Sequence, residues 1–220
     1  MHTITQPTQA ASFILQETAN RLVERLSLLK IHPKNILLHD NSKALDSQQL
    51  IMLFPDGIIT HEPQENMHYD LIIDNCSLID VADIRVYLFV MKKLLNTNGL
   101  LIFCTLGLET FPQYRLHMKP DLKLTDMHNL GDLMLNLHFA DPVMEMEILN
   151  LNYNHPATLI NDLKHANLLA EHPPLHLPSP IHTTIELIYG HAWHKLGFEN
   201  QFTDEHNTTW ISADSIEYMD

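Results

Sequence analysis

The sequence predicts an α/β fold built on a largely parallel sheet, and three features carry that prediction. Ile36-Leu37-Leu38, Leu71-Ile72-Ile73 and Leu100-Leu101-Ile102-Phe103 are short, wholly apolar runs, the form a strand takes when both faces of its sheet are covered. Val81 to Leu95 separates the last two and places Ile84, Tyr87, Leu88, Met91, Leu94 and Leu95 on one helical face. Asn98-Gly99 follows as the expected helix stop, glycine being the usual residue past a helix end. Strand, helix, Asn-Gly and strand together imply a right-handed βαβ crossover.

The other elements follow in chain order. Residues 1–11 are polar at the start and read as a flexible N-terminus without the basic start and apolar core of a signal peptide. Phe13 to Leu29 is an amphipathic helix with Phe13, Leu15, Ala19, Leu22, Val23, Leu26 and Leu29 on one broad face, ended by Pro33. Leu50 to Phe54 and Ile58 to Thr60 are short apolar runs around a Pro55-Asp56-Gly57 turn, with room for two small strands. Tyr69 to Cys76 and Leu100 to Thr105 are buried strands. His117 to Leu124 is a loop, and the reading extends to a mobile lid. Asp126 or Thr125 caps a helix carrying Leu130, Leu133, Met134 and Leu137, which Pro142 stops. Val143 to Tyr153 alternates as a strand, and Pro156 opens a helix running to Leu169. Glu171 to Pro180 is a loop, Thr183 to Trp193 the last strand, and residues 195–220 an acidic C-terminal tail. The domain proper is expected over 12–194.

Composition narrows the function. With 220 residues the chain can bury one sizeable core. A formal net charge of −14 argues against binding a nucleic-acid backbone, which needs lysine and arginine gathered on one face. The 16 histidines are scattered without a ligand-type spacing, so no metal site is expected. Cys76 and Cys104 lie in or beside strand-like runs and read as buried reduced thiols, in keeping with a cytoplasmic address. No apolar run approaches the roughly 18 residues needed to span a bilayer.

One stretch carries more than periodicity. Asp126-Met127-His128-Asn129 opens it, Phe139-Ala140-Asp141-Pro142-Val143-Met144-Glu145-Met146-Glu147 follows, then Asp162-Leu163-Lys164, and later Tyr189-Gly190-His191-Ala192-Trp193. This ordered series resembles the C-terminal half of the malonyl-carrier-protein methyltransferases of biotin synthesis, the BioC family. The resemblance implies a class I S-adenosylmethionine-dependent methyltransferase-like, Rossmann-like sheet with flanking helices. It extends to Tyr69-Asp70-Leu71-Ile72-Ile73-Asp74-Asn75, similar to the family's Phe-Asp-Leu-Val-Phe-Ser-Asn, and to Thr105-Leu106-Gly107 with Arg115.

The resemblance fails at one place. Where the family reads Ile-Leu-Asp-Leu-Gly-Cys-Gly-Thr-Gly, this chain has Ile36-Leu37-Leu38-His39-Asp40-Asn41-Ser42-Lys43-Ala44. Asp40, Ser42 and Ala44 replace all three glycines, and each adds a Cβ where backbone must approach the cofactor. The region before Tyr69 is also too short for the family's two βα units. The expectation is therefore an abbreviated, degenerate site with impaired S-adenosylmethionine binding. Asp40, Ser42, Asp74 and Asn75 mark the cofactor side; Glu62 and Asp56 read first as solvated loop charges and second as stand-ins for the ribose-binding carboxylate. Arg115 and His191 are the substrate-side candidates, the arginine because a guanidinium takes a carboxylate bidentately; the other readings are a surface arginine on a short helix and a packed edge-strand histidine. No catalytic acid or base is assigned, since a malonyl carboxylate is already a nucleophile at neutral pH. The partners implied are an acyl carrier protein or a related methyltransferase subunit. The alternative to an O-methyltransferase is a non-catalytic paralogue in a binding, regulatory or assembly role.

Overall fold

The computed structural model describes residues 12–40, 42–171 and 177–196, and the backbone of 201–203 and 209–211. The N-terminal segment 1–11, residues 172–176 of the 171–180 loop and most of the acidic tail, all read above from sequence, lie outside the described residues.

Six strands form one mixed sheet: β1 (Asn35–His39), β2 (Ile58–Thr60), β3 (Tyr69–Asn75), β4 (Leu95–Leu106), β5 (Ala140–Tyr153) and β6 (Ile181–His194). Their spatial order is β2-β1-β3-β4-β6-β5. The first four are parallel; β6 runs antiparallel between β4 and β5. Five helices flank the sheet: α1 (Phe13–Leu28), α2 (Ser47–Leu53), α3 (Ile84–Leu94), α4 (Met127–Asn136) and α5 (Pro156–His165). Two short strands, β7 (Gln201–Thr203) and β8 (Thr209–Ile211), pair with each other only.

The strands alternate faces as their period of two requires. Ile36, Leu38, Leu71, Ile73, Ile102 and Cys104 meet α1, α2 and α5. Leu37, Ile72, Leu101 and Phe103 meet α3 and α4. Side chains at strand centres are fully buried on both faces, which is why these runs are apolar throughout.

Four expectations are corrected. Leu50 to Leu53 belongs to α2, not to a strand; Asp46 caps that helix by accepting from Gln48 N, and only Leu50 of α2 is buried. One strand, β2, therefore stands in the region before Tyr69. Asn98-Gly99 does not end α3, which stops at Leu94. It lies inside β4, with Asn98 at φ 63°, where the register against β3 shifts. A Cβ on Gly99 would sit 2.8 Å from Tyr69 O, so the residue is glycine for a close backbone approach. Pro142 does not precede β5 but lies within it, at a register shift beside Asp141 (φ 50°). Proline is tolerated there because β5 is an edge strand. Finally, the 117–124 loop is tied down: Lys119 N donates to Leu168 O and Lys123 N to Ile79 O.

Candidate functional site

In an open α/β sheet, ligands bind beyond the carboxyl ends of the parallel strands, where the strand order reverses. Here that point lies between β1 and β3. The turn after β1 is built around one carboxylate. Asp40, 9% exposed, accepts from Leu45 N at 2.7 Å through Oδ2 and from Ser42 N at 3.1 Å through Oδ1. The Ser42 hydroxyl also donates to Oδ1, and Ser42 Oγ accepts from Ala44 N at 3.1 Å. Lys43 N donates to Asp40 O at 3.2 Å, and Lys43 takes the left-handed φ of 57°. The N–H groups of Ser42, Lys43, Ala44 and Leu45 all find their acceptors within the turn.

The end of β3 sorts its two polar residues to opposite faces. Asn75, 3% exposed, turns toward the Asp40 turn: its Nδ2 donates to Asp40 Oδ1 and Leu15 O, both at 3.4 Å, while its buried Oδ1 has no partner among the described residues. Asp74, fully buried, turns toward α3. It accepts from Ser77 N at 2.9 Å and from the Tyr87 hydroxyl, and His39 Nδ1 lies 3.7 Å from its Oδ2. The Asp74 carboxylate beside it raises the His39 imidazole above its ordinary pKa. Burial, with Asp74 beside it, pushes the Tyr87 hydroxyl up and keeps it protonated.

Two clefts border the Asp40 turn. One, of about 740 Å³, is lined by Asp40, Lys43, Asp46, Ser47, His61 and Glu62. It separates the two stand-in carboxylates: Glu62 is at this cleft, just past the carboxyl end of β2, while exposed Asp56 precedes that strand. The other, of about 280 Å³, is lined among others by Ser42, Asn75, Ser77, Asp80 and His165.

The structure thus brings Asp40, Ser42 and Asn75 together and places Asp74 behind them on the α3 side. Arg115 and His191 join neither each other nor this group. Arg115 lies in a 3₁₀ segment (Pro112–His117) and donates to Leu108 O in its own loop. His191 borders a cavity of about 120 Å³ with Arg25 and the α1 end residues Leu28 and Leu29. Burial lowers its pKa. It is carried by β6, an interior strand, where an edge strand was expected. Sequence reasoning did not single out His39 or Tyr87 as site residues. The signal for His39 was a polar residue ending an otherwise apolar strand run; Tyr87 read only as part of the inner face of α3.

Comparison with known proteins supplies the rest. No family model matches the chain. A malonyl-[acyl-carrier protein] O-methyltransferase of Gallionella capsiferriformans is 24% identical, with 83% of this chain and 85% of the relative covered. Enzymes of the same name from Legionella pneumophila and Coxiella burnetii are each 26% identical, covering 69% and 74% of this chain and 66% and 67% of their own lengths. The alignment to the Gallionella protein spans 246 positions, more than this chain's 220 residues, so this chain lacks blocks that its relative has. Among solved structures, the YcgJ protein of Bacillus subtilis superposes with a TM-score of 0.52 at 9% identity over 82% of this chain and 99% of its own. A phosphoethanolamine N-methyltransferase of Haemonchus contortus, solved with S-adenosylhomocysteine, gives 0.50 at 9% identity over 81% and 53%. The chain has the fold of class I S-adenosylmethionine-dependent methyltransferases and is similar in sequence, over most of its length, to malonyl-[acyl-carrier protein] O-methyltransferases.

Proposed function

We infer that this chain is a degenerate malonyl-carrier-protein methyltransferase that has kept its carrier-facing half and lost ordinary S-adenosylmethionine binding, and that it acts as a binding or regulatory partner. The observation that carries this reading is the Asp40 turn. A cofactor cradle needs free backbone N–H groups and room above them. Here four successive N–H groups are taken by Asp40 and Ser42. A buried carboxylate also stands where the cofactor's own methionine carboxylate would approach, and like charges at close range repel strongly in a poorly hydrated site. The residues present do not fit the cofactor, and no methyl-transfer step is derived from them.

The enzymatic reading keeps one observation in its favour, the 740 Å³ cleft with Glu62 beyond β2. Calorimetric titration of the full chain with S-adenosylmethionine and S-adenosylhomocysteine separates the two readings. Micromolar binding, about −8 kcal/mol, means the cleft holds the cofactor, and malonyl-carrier methylation becomes the assay. Absence of heat at millimolar ligand, together with binding of a malonyl-carrier protein, is the outcome expected here.

A further inference from the structure

Cys76 and Cys104, the chain's two cysteines, sit at the carboxyl ends of neighbouring parallel strands. Cys104 of β4 is registered with Asn75 of β3, and Cys76 N donates to Cys104 O at 2.9 Å. Regular strand alternation would send the Cys76 side chain to the face opposite Asn75, toward α3. It does not go there. Cys76 takes the left-handed φ of 64°, uncommon for a residue with a Cβ, and its side chain joins Cys104 in the core cluster on the α1 side of the sheet. The two thiols lie within hydrogen-bond reach of each other. A backbone hydrogen bond of this kind sets the two α-carbons roughly 5 to 6 Å apart. A disulfide closes over that separation.

The two thiols are unequally placed. Cys104 is fully buried, whereas Cys76 lines the 280 Å³ cleft with Ser42, Asn75, Ser77 and His165. A small reagent in the cleft therefore meets Cys76 first and reaches Cys104 only through it. Asn75 lines the same cleft, and its buried Oδ1, unpartnered among the described residues, is an acceptor without a donor. Burial, with Cys76 beside it, pushes the Cys104 thiol well above its ordinary pKa and holds it protonated until it reacts.

We propose that Cys76 and Cys104 form an oxidation site, in which a small hydroperoxide entering the cleft oxidises Cys76 and Cys104 then closes a disulfide. With hydrogen peroxide, the Cys76 sulfur attacks one peroxide oxygen. The S–O bond forms, the O–O bond breaks, and the other oxygen leaves as water with the thiol proton. The Cys104 sulfur then attacks the Cys76 sulfenic acid. The S–S bond forms, the S–O bond breaks, and the hydroxyl leaves with the Cys104 proton as a second water. Two thiols are oxidised to one disulfide, and one peroxide is reduced to two waters. The peroxide suits the cleft because its O–H groups can donate to Asn75 Oδ1. The product ties the ends of β3 and β4 together at the cleft wall, and a dithiol reductant reopens it by exchange. Neither the cofactor nor a carrier protein takes part, so the site stands or falls independently of the function proposed above.

The full chain is treated with hydrogen peroxide at neutral pH, and its thiols are counted after denaturation. Two free thiols should fall to none in a chain that stays uncrosslinked to others and is lighter by two hydrogens. Digestion without reductant should give the Cys76 and Cys104 peptides joined, and dithiothreitol should restore both thiols. In Cys104→Ala the oxidation should stop at a Cys76 sulfenic acid that dimedone captures. In Cys76→Ala the Cys104 thiol should survive the same treatment until the chain is unfolded. Survival of both thiols, a sulfinic acid at Cys76 in place of the disulfide, or linkage between chains overturns the proposal. So does equal reactivity of the two single variants. The wild-type peptide map decides the pairing without either variant, so a variant that fails to fold does not shelter the proposal.

Discussion

The two edges of the sheet are held by different means. At one edge β5 and β6 run antiparallel for 14 residues each. Arg21 pairs with Glu147 at 2.6 Å and Arg25 with Glu145 at 2.9 Å, binding α1 across β5, and the Arg25 guanidinium lies 3.4 Å from the centre of the Tyr189 ring. At the other edge β2 offers three residues, and Ile58 there is 62% exposed. Beside it, the turn after β1 is ordered by its own residues, with Asp40 and Ser42 as the acceptors. The long ladder carries two of the stretches that resemble the malonyl-carrier methyltransferases, residues 139–147 and 189–193. The contrast teaches that a methyltransferase fold and a methyltransferase cofactor turn are separable: ladders and core packing hold the first, a few loop residues set the second.

If that division is right, core substitutions in the paired half should be the most damaging. Phe103 is fully buried on β4. Phe103→Ala should cost about 4 kcal/mol by urea unfolding. A cost under about 1 kcal/mol would mean that the half is loosely packed and the comparison false. Gly190→Ala should come next, at about 2 to 3 kcal/mol, because an added Cβ would lie 2.2 Å from Phe103 Cζ. Combining it with Phe103→Leu should recover part of the loss, since the two positions compete for one space.

The same residues explain what was legible beforehand. Gly190 and Phe103 sit in stretches whose pattern identified them as strands, and as strands they were read correctly. The misreadings, Pro142 at the start of β5 among them, have physical reasons. Leu50 to Phe54 is too short for periodicity to tell a strand from one face of a helix, and Asp46, its cap, was the overlooked signal. Asn98-Gly99 reads alike as a helix stop or as a bulge; only the Tyr69 carbonyl across the strands decides. At the site, the missing glycines were visible in the sequence. That Asp40 would fold back onto its own turn was not, because the bonds depend on the turn's geometry.

Asp40 gives the next smaller test. Asp40→Ala removes the acceptor for Ser42 N, Leu45 N and Asn75 Nδ2. A loss of about 2 kcal/mol is expected from leaving buried donors unmatched. An ordinary exposed-loop substitution stays within about 0.5 kcal/mol. A value in that lower range would return the turn to the status of a solvated loop and remove the argument that it is a self-sufficient structure.

The smallest effect concerns His39, at the boundary between the two halves. The Tyr87 hydroxyl donates to Asp74, so its oxygen is left to accept from His39 Nδ1–H, 2.6 Å away. A protonated imidazole there adds a positive charge beside a fully buried carboxylate, and Glu62 and Asp40 act in the same direction. The folded-state pKa of His39 is thus raised above the unfolded value of about 6.5. The associated stability is fully present below that unfolded value and is lost as pH rises through the raised folded one. Thermal midpoints of the wild type and His39→Gln, compared from about pH 5 to about pH 9, should converge with rising pH. The difference should be of the size of one exposed interaction, about 2 to 4 °C for a chain of this length. Glutamine keeps a donor for Tyr87 but cannot take the charge. Parallel curves would therefore mean that His39 is neutral throughout and that the hydrogen bond to Tyr87, not the ion pair with Asp74, is what the end of β1 contributes.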